Sequence, residues 1–182
     1  MSANAQNNTI LTLDIRLQKF GYAVLNGPRE LLAWGIKTYR AAEDDERVRL
    51  ARKRIVPLLA MYQPSVVVAN HVSGLNVSRA PKHRQIVKLI EAEAKRHSGE
   101  LVLLGRNEIR RVFSALGDAG KDAIASQIAL LFPELTWKLP PVRKTWMSEH
   151  HNTTIFDAVA LGLTHLTQFA EVFSEHKQQG IP

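Results

Sequence analysis

The stretch SVVVAN, residues 65–70, constrains the fold more than any other. Its apolar core, Val66 to Ala69, is too short for a helix and offers no polar face to solvent. Such a strand must be covered on both sides, as strands are in parallel or mixed sheets that carry helices on both faces. Its flanks supply those helices. Upstream, Glu43 to Tyr62 places Val48, Leu50, Ala51, Ile55, Leu58 and Leu59 on a core face. Glu43, Asp44, Asp45 and Glu46 crowd its first turn and Arg49, Arg52, Lys53 and Arg54 follow, an order that complements the helix dipole. Downstream, residues 82–97 predict a second helix.

The rest of the chain completes the pattern. Residues 9–14, 21–26 and 30–39 predict strands whose short connections carry Gly21, Gly27 and Pro28, which suits an antiparallel meander. LVLLG, residues 101–105, predicts a fifth strand. Helices follow over 107–116 and 119–132, separated by Gly117 and Gly120. Pro140 and Pro141 make ELTWKLPPVRKTWMSEHH a loop, and a last helix runs from about Thr153 to Ser174 with Asn152 or Thr153 as its N-cap. The order β-β-β-α-β-α-β-α-α-α predicts an α/β domain over residues 9–175, with polar tails at 1–8 and 176–182. Its five-stranded mixed sheet carries helices on both faces. Right-handed crossovers set the fourth strand beside the first and parallel to it. Asp14 and Asn70 then end those two strands on one edge, where ligands bind in such sheets.

Charge narrows the partners. The 182 residues hold 24 Lys and Arg against 17 Asp and Glu, a formal charge of +7. A basic domain attracts polyanions, nucleic acid above all, although the surplus can also serve solubility alone. Arg79, Lys82, His83 and Arg84 flank the loop after the fourth strand, and Arg106, Arg110 and Arg111 open the helix at 107. Lys121 stands at a helix N-terminus whose free amides suit a phosphate. Lys138, Arg143 and Lys144 decorate the proline-containing loop among Trp137 and Trp146, which are read as buried anchors or, alternatively, as exposed stacking surfaces. There is no cysteine, which excludes disulfides, thiolate metal sites and cysteine catalysis in this chain. GDAGKD lacks the spacing of a nucleotide-binding glycine loop. No apolar stretch is long enough to span a membrane, and MSANAQNN has no apolar signal region, so a cytoplasmic, nucleoid-associated location is expected.

Three segments carry a family likeness: LTLDIRLQKFGYAVL, PSVVVANHV and TTIFDAVALGLTHL. Their order and spacing resemble the RuvC-type Holliday-junction resolvases of the ribonuclease H-like superfamily. The resemblance implies a ribonuclease H-like sheet and a metal-dependent endonuclease acting on structured or branched DNA, in preference to RNA. It implies a symmetric homodimer and no membrane partner. It also implies Mg2+ or Mn2+ held by clustered carboxylates, because hard cations need oxygen ligands to stabilise the attacking water and the leaving oxygen. Asp14 matches the acid that ends the first strand, and Asp157 matches the last acid of the family pattern. Asn70 falls where the family has a glutamate, and Thr154 where it has an acid or histidine. The metal set implied is therefore Asp14, Asp157 and Asn70; Glu149 and His150, just before the last helix, are expected as replacement catalytic groups from their nearness in sequence alone.

The neutral Asn70 and Thr154 leave a different class open, a catalytically silent nucleic-acid-binding module of the same fold. A structural or scaffolding role is a third reading. Taken singly, Asp14 is also a strand-end acid, Asp157 an acid near a helix N-terminus, Asn70 a strand terminator, and His150 with His151 a solvated loop pair.

Overall fold

The computed structural model describes residues 9–71, 80–142, 144, 146 and 148–178. β1 (Thr9–Ile15), β2 (Lys19–Asn26) and β3 (Leu31–Thr38) form the antiparallel meander, with Asp14 opposite Gly21 and Tyr22 opposite Gly35. α1 (Asp44–Tyr62) crosses to β4 (Val66–Asn70), and α2 (Ala80–Arg96) leads to β5 (Glu100–Leu104). β4 lies parallel to β1, pairing Leu13 with Ala69, and β5 lies parallel to β4. The sheet order is β3-β2-β1-β4-β5, the five-stranded mixed sheet that the sequence predicts. α3 (Arg106–Ser114), α4 (Lys121–Leu131), a 3-10 turn (Pro133–Lys138) and α5 (Thr153–Gln178) complete the chain. No helix among the described residues is long and apolar enough to cross a membrane.

Strand alternation divides the core into two. Leu11, Leu13 and Ile15 of β1 pack with Ala51, Ile55 and Leu59 of α1 and with Ile86 and Ile90 of α2. Ile10 packs on the opposite side, with Ile155, Phe156, Val159 and Leu163 of α5 and with Ile124 and Ile128 of α4. Asp14 shares the parity of Ile10 and Thr12, so it belongs to the α5 side. Two glycines let α5 lie close to the sheet. A Cβ at Gly21 would stand 2.5 Å from the Thr154 carbonyl carbon, and one at Gly162 would stand 2.5 Å from Leu25 Cδ1.

Boundaries move where turns tighten. β2 starts at Lys19 and not at Gly21, because the Arg16 N–H donates to the Lys19 carbonyl at 2.9 Å and closes the hairpin early. α2 begins at Ala80, two residues before the predicted start, and α5 continues to Gln178. The loop expected before α5 contains the 3-10 turn, opened by Pro133. Its buried anchor is Leu135, with no exposed surface, while Trp137 and Trp146 are 71% and 78% exposed. The anchor reading of the two tryptophans therefore does not hold.

Candidate functional site at the carboxyl edge of the sheet

β1 delivers Asp14 to the end of the strand with 4% of its surface exposed. Arg16 is the next residue of the same parity, just past the strand, and its side chain turns back over the edge. Its three guanidinium nitrogens serve three different carboxylates. Nε donates to Asp14 Oδ2 at 2.6 Å, Nη1 to Glu149 Oε2 at 3.0 Å and Nη2 to Asp157 Oδ2 at 2.5 Å. Lys121, the first residue of α4, adds its Nζ to Asp157 Oδ2 at 3.2 Å and also pairs with Glu149 Oε1. The structure thus brings Asp14, Asp157 and Glu149 together around two cations.

The Arg16 backbone is fixed on both sides. Its N–H makes the hairpin bond described above, and its carbonyl accepts from the Tyr39 hydroxyl. Tyr39 is buried and stacks on Phe20 with ring centroids 6.0 Å apart. Burial pushes the Asp14 carboxyl up to about 6; Arg16 draws it back down, and Asp157 adds to the rise. Burial opposes the charge on Arg16, but Asp14, Asp157 and Glu149 outweigh it and hold the guanidinium above its ordinary pKa. Burial lowers that of Arg106, at the start of α3, against the pull of Asp157.

These residues do not fit a divalent ion. Asn70, an implied ligand, spends both ends of its amide on the backbone of Ile15: Oδ1 accepts from the N–H at 2.8 Å, and Nδ2 donates to the carbonyl at 3.2 Å. It extends the β1–β4 ladder past Leu13 and Ala69, which ties its amide to the strand end. Thr154 is buried at 3% exposure with its backbone against Gly21. The three carboxylates each face a cation, and among the described residues no group of three or more histidine and acidic side chains is arranged to hold a metal.

The remaining candidates scatter. His150 is exposed, and its ring Nδ1 accepts from the Asn152 N–H at 3.2 Å; it joins none of the carboxylate contacts above. His151 instead meets Lys19 Nζ through its ring at 3.0 Å. Lys121 points into the carboxylates, so its expected use at a phosphate is replaced by an ion pair. Lys82 lies 3.4 Å from Asp44. Arg84, Arg110 and Arg111 are exposed on α2 and α3, and Lys144 lies 5.4 Å above the Trp146 ring. Arg79 and Arg143 fall outside the described residues.

A cleft of about 690 Å3 opens beside the cluster at the ends of β1 and β4. Arg16, Lys19, Arg40, Lys82 and three histidines line it, with Glu149 as its one acidic wall residue. Sequence reasoning passed over Arg16, Lys19 and Arg40. The i, i+2 alternation from Asp14 could have found Arg16. Lys19 and Arg40 needed the pairing of Lys19 with Thr38, which sets the end of β3 beside the same edge.

No family model and no curated protein matches the sequence. Solved structures do match. RuvC of Thermus thermophilus superposes with a TM-score of 0.69 at 17% identity, over 90% of this chain and 96% of that one. The same protein in complex with a Holliday junction substrate gives 0.68 at 16% identity, over the same shares. The yeast mitochondrial Holliday junction resolvase Ydc2 gives 0.66 at 10% identity, over 94% of this chain and 84% of its own. These likenesses span nearly the whole sheet and its helices, and they show that the chain has the RuvC-type fold.

Proposed function

We propose that this chain binds branched or otherwise structured DNA, holding the phosphate backbone at the carboxyl edge of its sheet without cutting it. The observation that carries this reading is the cationic cleft. Lys19, Arg40 and Lys82 line it together with Arg16, whose own charge is met by Asp14, Glu149 and Asp157, and Glu149 is the one acid among the described lining residues. Such a wall attracts a polyanion, and its affinity falls as added salt shrinks the entropy gained from releasing condensed counterions. Branched DNA is favoured over linear duplex by the fold, since RuvC of Thermus thermophilus was solved with a Holliday junction and Fowlpox virus resolvase with Holliday junction DNA. Trp137 and Trp146, exposed and each under a lysine, suit stacking on bases that a branch point leaves unpaired.

The second reading is a Mg2+- or Mn2+-dependent endonuclease, favoured by the gathering of Asp14, Asp157 and Glu149. One experiment addresses both. Fluorescence anisotropy with a four-way junction, linear duplex and single strand, in EDTA, should give tightest binding to the junction, by about tenfold or more over duplex. Replacing Lys19, Arg40 or Lys82 by alanine should each lower the salt slope by about one. Equal affinity for junction and duplex refutes the branched-DNA reading. Strand cleavage with Mg2+ or Mn2+ that is lost in Asp14→Asn and Asp157→Asn refutes the silent one.

A further inference from the structure

We propose that Arg16 and Lys121 are resident cations that take the place of a divalent metal: they hold the carboxylate cluster assembled and close it to metal ions. The inference deepens the silent reading, on which it rests, by assigning the residues responsible.

A carboxylate cluster in a half-buried edge must be neutralised by something. Asp14, Glu149 and Asp157 carry three negative charges, and their side chains are 5%, 29% and 16% exposed. A guanidinium is suited to the task, since its planar fork offers donors in several directions at once. Here each nitrogen of Arg16 is spent on a different acid. The ammonium of Lys121, a compact charge on a flexible stem, bridges the two acids left closest to solvent, Glu149 and Asp157. Three negative and two positive charges leave a residue of one negative charge. A Mg2+ or Mn2+ ion entering from water must give up hydration for that small attraction and must also force aside two cations.

Arg16 cannot simply retreat. Its backbone is pinned by the Lys19 carbonyl and the Tyr39 hydroxyl, and its neighbour Ile15 is bonded through both N–H and C=O to the Asn70 amide. The guanidinium can leave the cluster only by changing side-chain rotamer, away from three acids. Lys121 is fixed at the start of α4, whose Ile124, Ala125 and Ile128 are buried in the core beneath α5. The same pinned geometry accounts for the neutral residue at position 70. An amide donates to the Ile15 carbonyl, whereas an ionised carboxylate there has no proton to give and would add a fourth negative charge.

The test is Mn2+ binding, followed by the electron paramagnetic resonance of the free ion, on the wild-type chain, on Arg16→Gln/Lys121→Gln, and on that double variant with Asp157→Asn added. The wild type should show no saturable site. The double variant should bind one equivalent about tenfold or more tighter than any residual wild-type binding. The added Asp157→Asn should remove it. A saturable wild-type site that disappears in Asp157→Asn overturns the proposal, as does a folded double variant that gains no site. If circular dichroism shows the double variant unfolded, Lys121→Gln alone, in which Arg16 still bonds all three acids but the cluster holds one cation fewer, must gain a weaker Mn2+ site at Glu149 and Asp157. Its failure to do so also overturns the proposal. Junction binding in EDTA, measured on the same wild-type sample, reports separately on the DNA-binding reading: its loss defeats that reading and leaves the metal result standing.

Discussion

Replacing Arg16 by methionine removes the one cation that touches all three acids and should destabilise the fold in a pH-dependent way. Asp14 is the sensitive partner, because it is buried and accepts a hydrogen bond from Arg16 Nε. In the native chain burial pushes its carboxyl up to about 6 from an ordinary 3.8. Ionising it in the fold therefore costs about 3 kcal/mol relative to the unfolded chain, at 1.36 kcal/mol per pKa unit. An acid raised in this way gives a fold that is most stable below its unfolded pKa. Stability then declines as pH rises through the interval from about 4 to 6 and levels off above. Without Arg16 the carboxyl titrates higher still, so the decline continues above pH 6 at up to about 1.4 kcal/mol per pH unit. Arg16→Met should thus resemble the wild type most closely at pH 5. At pH 8 it should fall short by up to about 3 kcal/mol, two pH units at that slope. Urea unfolding followed by circular dichroism at both pH values measures this. Adding Asp14→Asn to Arg16→Met should recover most of the pH 8 loss, because a neutral amide needs no counter-ion. Equal losses at pH 5 and pH 8, or a loss below about 1 kcal/mol at pH 8, would refute the reasoning.

Three further expectations come from single contacts. Gly21→Ala puts a methyl group against the Thr154 backbone, which cannot swing aside as a side chain can, so a loss of about 3 kcal/mol or more is expected by thermal unfolding. Asn70→Asp removes the donor to the Ile15 carbonyl and sets a charge beside it; a loss of about 1–3 kcal/mol at pH 7 is expected, with no gain of Mn2+ binding by paramagnetic resonance. Trp137→Ala and Trp146→Ala should leave the melting temperature within about 2 °C of wild type, a shift worth at most about 1 kcal/mol in a chain of this length. Each should weaken single-strand and junction binding by about 1–3 kcal/mol in anisotropy titrations.

How much of this was legible in the sequence depended on the range of the interactions involved. The sheet order follows from patterns local to each element. SVVVAN demanded cover on both faces, the meander was marked by Gly21 and Gly27, and crossover handedness then put β4 beside β1. The same handedness put Asp14 and Asn70 together at one edge of the sheet. What escaped was decided between elements. Trp137 and Trp146 look like anchors by composition, yet Leu135 fills that position because the 3-10 turn begun at Pro133 directs it inward. Glu149 could be suspected only from its place before α5, and the contact with Arg16 spans 133 residues of sequence. His150, its neighbour, bonds back to Asn152, a difference of one position that no sequence pattern encodes.

The residue that sequence comparison most easily passes over is the one that best explains the rest. A family pattern directs attention to positions where an acid is expected, and it reads Asn70 as a loss. Arg16, which the pattern does not mention, turns that loss into a balance. With a guanidinium held two residues past Asp14, an acid at position 70 would confront two cations with four carboxylates in a half-buried edge, and it would deprive the Ile15 carbonyl of its donor. With an amide there, the strand end is stitched down and three acids face two cations. The neutral residue at 70 and the cations at 16 and 121 are then parts of one arrangement. Restoring an acid at 70 alone should leave the site without a metal, because the obstacle is the charge that already occupies it.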